Sequence, residues 1–204
     1  MNLIFMGKQG SGKGTQAKII SEKLGLCHIS TGDLVRGVEG ELKKEVDALI
    51  NKGNLISDEL MFEILKERVK KSDCEKGIIL DGYPRNLNQA KTLQENFEIS
   101  KVIDMDIPDE EVLNRLVNRL NCKKCGAIFN KLTNPPKQEG ICDFCGSELF
   151  VRDDDHEDAI RKRLEIYHRD TNPILSFFKE KVVKINGNQK IEDVTKEILE
   201  KLSF

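Results

Sequence analysis

Short, mostly apolar runs punctuate this chain, each bounded by polar or turn-forming residues. They fall at 2–6, 77–81, 101–107 and Val182–Asn186, with a shorter one at Cys27–Ser30. Runs of this length predict strands buried on both faces. Between them, apolar residues recur at helical spacing. Helices are expected at 15–24 (closed by Gly25), 41–52 (closed by Gly53), 58–71 (with Leu60, Met61, Ile64 and Leu65 on one face), 87–97, 109–120, 157–170 and Ile191–Leu202. Strands alternating with helices call for a parallel sheet covered on both faces, because parallel neighbours need crossover connections. Ligands of such sheets bind at the carboxyl ends of the strands. Only 121–150 breaks the alternation. It holds two cysteine pairs and five glycines and prolines without a sustained helical period, and reads as an inserted mini-domain.

Composition narrows the class. The 204 residues carry 33 Lys+Arg against 35 Asp+Glu, a net charge of −2 with both signs mixed throughout. That excludes a generally basic nucleic-acid binder and a disordered low-complexity chain. The longest apolar run near the start, Leu3-Ile4-Phe5-Met6, is too short for a signal-peptide core or a membrane span, so a cytoplasmic chain is expected. Cys27 and Cys74 stand alone in the sequence and read as inert core thiols. The other four cysteines form a metal-like arrangement in a reducing compartment.

Two motifs carry chemistry. The first strand leads into Gly7-Lys8-Gln9-Gly10-Ser11-Gly12-Lys13-Gly14-Thr15 and then a helix, the context a phosphate-binding loop requires. Its glycines let backbone N–H groups curl toward phosphate oxygens, the helix presents its positive end, and Lys13 adds a mobile cation. The spacing fits G-x-x-x-x-G-K, but Gly14 stands where Ser or Thr is usual and the hydroxyl comes one place later, at Thr15. G-x-G-x-x-G does not fit, which disfavours a dinucleotide; a glycine-rich turn that binds nothing is the bland alternative. Asp81, ending the strand at 77–81, could hold magnesium-bound water, or could simply form a turn before Gly82.

The second motif is Cys122-x-x-Cys125, sixteen residues, then Cys142-x-x-Cys145. Four thiolates at this spacing fill a tetrahedral zinc shell and leave no open position, so the metal would be structural. Two disulfides or an iron–sulfur cluster are the alternatives. From Arg115 to Arg152 the local charge is +4, leaving −6 for the rest. Such a basic insertion could bind nucleic acid or close over a nucleotide's phosphates.

Three further segments decide more: Ser30-Thr31-Gly32-Asp33-Leu34-Val35-Arg36; Asp81-Gly82-Tyr83-Pro84-Arg85 with Gln89; and Arg152-Asp153-Asp154-Asp155 followed by Arg161-Lys162-Arg163-Leu164. Together with the motifs above, these resemble the adenylate kinases over nearly the whole chain, and most closely the bacterial long-lid form whose four cysteines hold zinc. The resemblance implies a P-loop nucleoside monophosphate kinase fold, with a five-stranded parallel sheet flanked by helices and a small zinc-binding lid. It implies a core at 1–29, 57–117 and 156–204, an AMP-binding segment at 30–56 and a lid at 118–155. The implied reaction is reversible, magnesium-dependent, direct in-line transfer between ATP and AMP to give two ADP, serving adenine nucleotide homeostasis and salvage.

For ATP the resemblance implies Gly10, Ser11, Gly12, Lys13, Gly14, Thr15, Arg119, Ile128, Phe129 and Gln189. For AMP it implies Thr31, Arg36, Asn54, Leu55, Ile56, Gly82, Tyr83, Pro84, Arg85, Gln89, Arg152 and Arg163, the Gln89 amide suiting the adenine edge. Lys13, Asp81, Arg85, Arg119, Arg152 and Arg163 would be catalytic, and Asp154 and Asp155 would sit at the lid's return hinge. His28, His156 and His168 match no catalytic role. The chain departs from the family pattern at Gln9, Asn118 and Leu120, and its acceptor segment is about three residues short. The resemblance suggests a monomer acting on ATP, AMP and ADP, with no nucleic-acid or membrane partner. Rival readings are a kinase of the same fold with another acceptor or GTP as donor, and a P-loop ATPase whose zinc ribbon grips nucleic acid, which would need aromatic stacking residues beside the basic ones.

Overall fold

The central strand β1 (Leu3–Gly7) is buried along its whole length. Its residues divide by parity, as a pleated strand requires. Ile4 and Met6 join one apolar cluster with Ile78, Leu80 and Val102, whereas Leu3 and Phe5 join another with Ile79, Ile103 and Ile185. Two cores on opposite faces of one sheet explain why the strand signal was a run rather than an alternation.

The computed structural model describes residues 1–36, 38, 40, 43, 44, 46, 56–152 and 154–202, with Asp33 and Arg36 described by backbone alone. After β1 come α1 (Lys13–Leu24), β2 (Cys27–Ser30), α2 (Thr31–Arg36), α3 (Asp58–Val69), β3 (Ile78–Asp81), α4 (Leu87–Asn96), β4 (Lys101–Asp106) and α5 (Asp109–Val117). Then follow β5 (Arg119–Cys122), β6 (Ile128–Asn130), β7 (Leu149–Phe150), α6 (Glu157–Ile166), α7 (Asn172–Phe177), β8 (Val182–Asn186) and α8 (Ile191–Leu202). The main sheet is parallel in the order β2-β3-β1-β4-β8. The direction in which successive strands are added therefore reverses at β1, where a doubly wound sheet opens its ligand crevice. A second, antiparallel sheet, β6-β5-β7, forms the inserted segment.

Side-chain caps start several helices: Ser57 accepts from Leu60 N ahead of α3, Asn86 from Gln89 N ahead of α4, and His156 from Ala159 N ahead of α6. His156 is thus structural, as expected. The helix expected at 109–120 stops at Val117 because Asn118 leaves helical geometry (φ −102°, ψ 5°) and Arg119 starts the pairing of β5. The helix expected at 157–170 ends at Ile166, then widens into one π turn at Tyr167–Thr171 before α7. The short helices α2 and α7 were not anticipated; at six residues each, neither displays a full apolar period. The helix expected at 41–52 lies outside the described residues except at Lys43, Lys44 and Val46.

Cys27 and Cys74 are core residues, 6% and 5% exposed, but they do not stand alone. The register Cys27↔Ile78 brings the start of β2 beside the turn that feeds β3, and the two Sγ atoms lie 2.6 Å apart.

Candidate active site

All five parallel strands deliver their carboxyl ends to one cleft of about 1090 Å³. The loop after β1 forms its floor. Gly12 takes φ 89° and caps α1, a left-handed conformation open to glycine at little cost. Gly14 answers the motif's departure from Ser or Thr: a Cβ there would lie 3.0 Å from Asp81 Oδ2. Gly14 therefore lets Asp81 approach the turn that bears Lys13 and Thr15.

Lys13 Nζ donates to Lys8 O at 3.3 Å. Its pKa lies below the ordinary lysine value, first because burial disfavours the charge. Nearby Asp81 opposes that, while the positive fields of Arg85, Arg119 and Arg163 add to it. Four cations from α1, the loop after β3, β5 and α6 thus face one another across a single space. Arg85 is held below its usual value by burial too, against the pull of Asp81, and its Nε donates to Gly82 O at 2.9 Å. Thr31 Oγ1 donates to Gly82 O at 2.6 Å and to Asp81 O at 3.1 Å, tying the end of β2 to that of β3.

Asp155 is central to the other wall. Its side chain is fully buried and accepts from Arg119 Nε (2.8 Å) and Nη2 (2.6 Å) and from Arg163 Nη2 (3.2 Å). Arg163 also donates to the Asp154 carboxylate at 2.6 Å and to the Asp154 carbonyl at 2.5 Å. Arg152 Nε donates to Asn121 Oδ1 at 3.1 Å.

Of the residues expected at the site, Gly10, Ser11, Gly12, Lys13, Gly14, Thr15, Thr31, Asp81, Gly82, Arg85, Arg119, Ile128, Phe129, Arg152, Arg163 and Gln189 line the cleft. Ile56, Tyr83, Pro84 and Gln89 do not. The Gln89 amide is engaged internally, with Oε1 accepting from Arg85 N at 2.7 Å and Nε2 donating to Asp58 Oδ1 at 2.7 Å. One N–H and one lone pair remain to it. The Arg36 side chain, Asn54 and Leu55 lie outside what is described. Sequence reasoning missed Arg115, which donates to Gly187 O at 3.1 Å and to Asn188 Oδ1 at 3.0 Å, joining α5 to the segment after β8. No local pattern marked it, because its partners come from the segment after β8, about 72 positions away.

In the small sheet, the Cys122, Cys125, Cys142 and Cys145 sulfurs lie within 4.8 Å of one another. The Cys122–Cys145 and Cys125–Cys142 separations are 3.4 and 3.5 Å, close to the edge of a tetrahedron around a metal at about 2.3 Å. Gly126 N and Gly146 N donate back to Cys122 O and Cys142 O, closing the two turns. The Ser147 backbone N–H pulls the Cys145 thiol down to about 6, while Cys125, against the pull of the Ala127 N–H, is pushed up to about 12 by desolvation and the neighbouring sulfurs; a bound metal would displace the thiol protons of all four. The donor set fits a structural metal. Among the described residues, no helix is long and apolar enough to cross a membrane.

Comparison with known proteins bears on the same residues. A family model described as adenylate kinase matches residues 5–183. The chain is 44% identical to the adenylate kinase of Caldicellulosiruptor bescii, with both chains covered in full. It is 43% identical to that of Caldicellulosiruptor saccharolyticus, over 99% of each chain. It is also 45% identical to that of Archaeoglobus fulgidus, over 97% of this chain and 96% of the other.

Proposed function

This chain belongs to the adenylate kinase family and is a nucleoside monophosphate kinase that interconverts ATP and AMP with two ADP, and we propose that it does so by direct in-line transfer between nucleotides held end to end in the cleft. The observation that carries this reading is the convergence of Lys13, Arg85, Arg119 and Arg163 on one space. Phosphoryl transfer asks little covalent chemistry of a protein. It needs positioning and positive charge around the moving group.

On the donor side, backbone N–H groups from Gly10 to Thr15 and the Lys13 ammonium cradle the ATP phosphates, while Arg119, Ile128, Phe129 and Gln189 border the remainder. On the acceptor side, Thr31, Arg36, the stretch Asn54-Leu55-Ile56 and the turn Gly82 to Arg85 surround AMP. Gln89, fixed by Asp58, offers its remaining N–H and lone pair to adenine. Arg152 and Arg163 reach phosphates from the insertion and the adjoining helix. Asp81, a hard oxygen donor beside Gly14, would hold magnesium through water; the ion neutralises phosphate charge when bound. Cys122, Cys125, Cys142 and Cys145 would hold zinc, which stiffens a segment too small for a sufficient core of its own. The segments 30–56 and 118–155 move over the rest, 1–29, 57–117 and 156–204, to admit nucleotides and then exclude water. We also read the enzyme as a cytoplasmic monomer without a nucleic-acid partner, which size-exclusion chromatography and salt-dependent RNA binding would check.

Phosphorus NMR with magnesium ATP and, in turn, AMP, UMP, CMP, GMP or no acceptor tests the proposal. ADP should form rapidly with AMP, reversibly, with negligible phosphate release in its absence. Phosphate release without an acceptor, rising with added RNA, would overturn it in favour of a nucleic-acid-gripping ATPase.

A further inference from the structure

Cys27 and Cys74 are 47 positions apart in sequence and belong to no part of the phosphoryl-transfer site. Their Sγ atoms nevertheless lie 2.6 Å apart in the core. Asp73 and Arg68 flank them: Cys27 Sγ donates to Asp73 Oδ2 at 3.6 Å, and Arg68 Nη1 donates to Cys74 Sγ at 3.0 Å and to Asp73 Oδ1 at 2.8 Å.

Two chemistries suit such a group. A thiophilic metal ion bound by both sulfurs and the Asp73 carboxylate would hold the sulfurs roughly 3.8 Å apart, the edge of a tetrahedron with metal–sulfur bonds of about 2.3 Å. The Arg68 guanidinium on Asp73 and Cys74 also repels a cation. A covalent S–S bond needs about 2.05 Å, a much smaller adjustment from the observed contact. We propose that Cys27 and Cys74 are a covalent modification site, a reversible disulfide that staples edge strand β2 to the turn leading into β3.

With a hydroperoxide as oxidant the step balances. The Cys74 sulfur, favoured as nucleophile by the Arg68 N–H, attacks a peroxide oxygen; the O–O bond breaks and hydroxide leaves with the thiol proton as water. The Cys27 sulfur then attacks the resulting sulfenic sulfur; the S–O bond breaks and a second water departs with the Cys27 proton. Two thiols and one hydrogen peroxide give one disulfide and two waters, and a dithiol reductant reverses it. Burial raises both thiols, Cys27 to about 12, so the pair is oxidised slowly in the folded state and stays reduced otherwise.

The closed loop of 47 positions spans the acceptor-side segment, so its removal from the unfolded ensemble is a large effect, of order 10 °C in Tm. The test treats the zinc-loaded enzyme with hydrogen peroxide, alkylates it under denaturing conditions and maps its peptides by mass spectrometry. Expected are a Cys27–Cys74 cross-linked peptide, two mass units lighter than the two thiol peptides together, and a Tm rise of about 10 °C that a dithiol reverses and that is absent in Cys27→Ser and Cys74→Ser. Peptide mapping of the unsubstituted chain stands even where a variant fails to fold. Separately alkylated Cys27 and Cys74 after oxidation would overturn the proposal. So would a metal equivalent beyond that of the insertion cysteines, if Cys27→Ser loses it.

Discussion

Replacing Asp155 by Asn probes how the two arginines of the insertion wall are held. The Asp155 side chain is 0% exposed, against 13% for Arg119 and 18% for Arg163. The substitution keeps the shape, but sets an amide N–H₂ where a carboxylate accepted three guanidinium N–H groups. Removing one member of a buried ion pair typically costs about 3–5 kcal/mol, because the surviving charge is left uncompensated. The lower end applies, since Arg163 keeps its bonds to Asp154 and both arginines border the cleft. A loss of about 3 kcal/mol corresponds to a Tm lower by roughly 6–12 °C in a chain of this size. Asp154→Asn is the matched control. Its carboxylate is 56% exposed and pairs with the same Arg163, so screening by water should limit the cost to about 0–1 kcal/mol. Circular dichroism melts of both variants, zinc-loaded and nucleotide-free, give the comparison, and kcat at saturating ATP and AMP reports whether the freed arginines lose their aim. Equal melting shifts for the two variants, or a loss under about 1 kcal/mol for Asp155→Asn, would refute the claim that the buried carboxylate holds this wall together.

Other outcomes follow from single features. Gly14→Ala should lower kcat by about 10- to 100-fold while leaving Tm unchanged or slightly raised, because alanine suits helix α1 better but its Cβ would sit 3.0 Å from Asp81 Oδ2; unchanged turnover in a steady-state assay would contradict this reading of Gly14. Chelating the metal of the four-cysteine group should lower Tm more than it lowers turnover at low temperature, and an equal loss of both below the melting range would assign the metal a catalytic part. In the reduced protein the Cys27 thiol is raised by burial to about 12, against about 8.5 unfolded. The folded chain keeps a proton that the unfolded chain releases, so this contribution is fully present below the unfolded value and is lost as pH rises toward the folded one. Urea midpoints should therefore fall more steeply above about pH 8.5 for the reduced native sequence than for Cys27→Ser, and parallel curves would sink the assignment.

The strands and most helices were legible along the chain, since an apolar run or a helical period is a local property that burial imposes residue by residue. The phosphate loop and the four-cysteine group were legible for a related reason: backbone turns and metal shells draw on residues close in sequence. So was membership of a family, through short segments around Thr31, Arg85 and Arg163. Helix ends were less so, because Asn118 and the π turn at Tyr167–Thr171 answer to neighbours in space.

What the tertiary structure alone decided were the pairings between distant residues. Asp155, expected near the lid's return hinge, also serves as a buried acceptor for Arg119, 36 positions away, and for Arg163. Gly14 looked like a departure from a motif until Asp81 stood beside it. Cys27 and Cys74 read as solitary thiols because their meeting depends on strand order and on the register of β2 against β3. Composition and periodicity carry the local free energies of burial and turn formation. Strand order, register and ion-pair choice emerge only when the whole sheet closes, and there the chemistry of this chain is assembled.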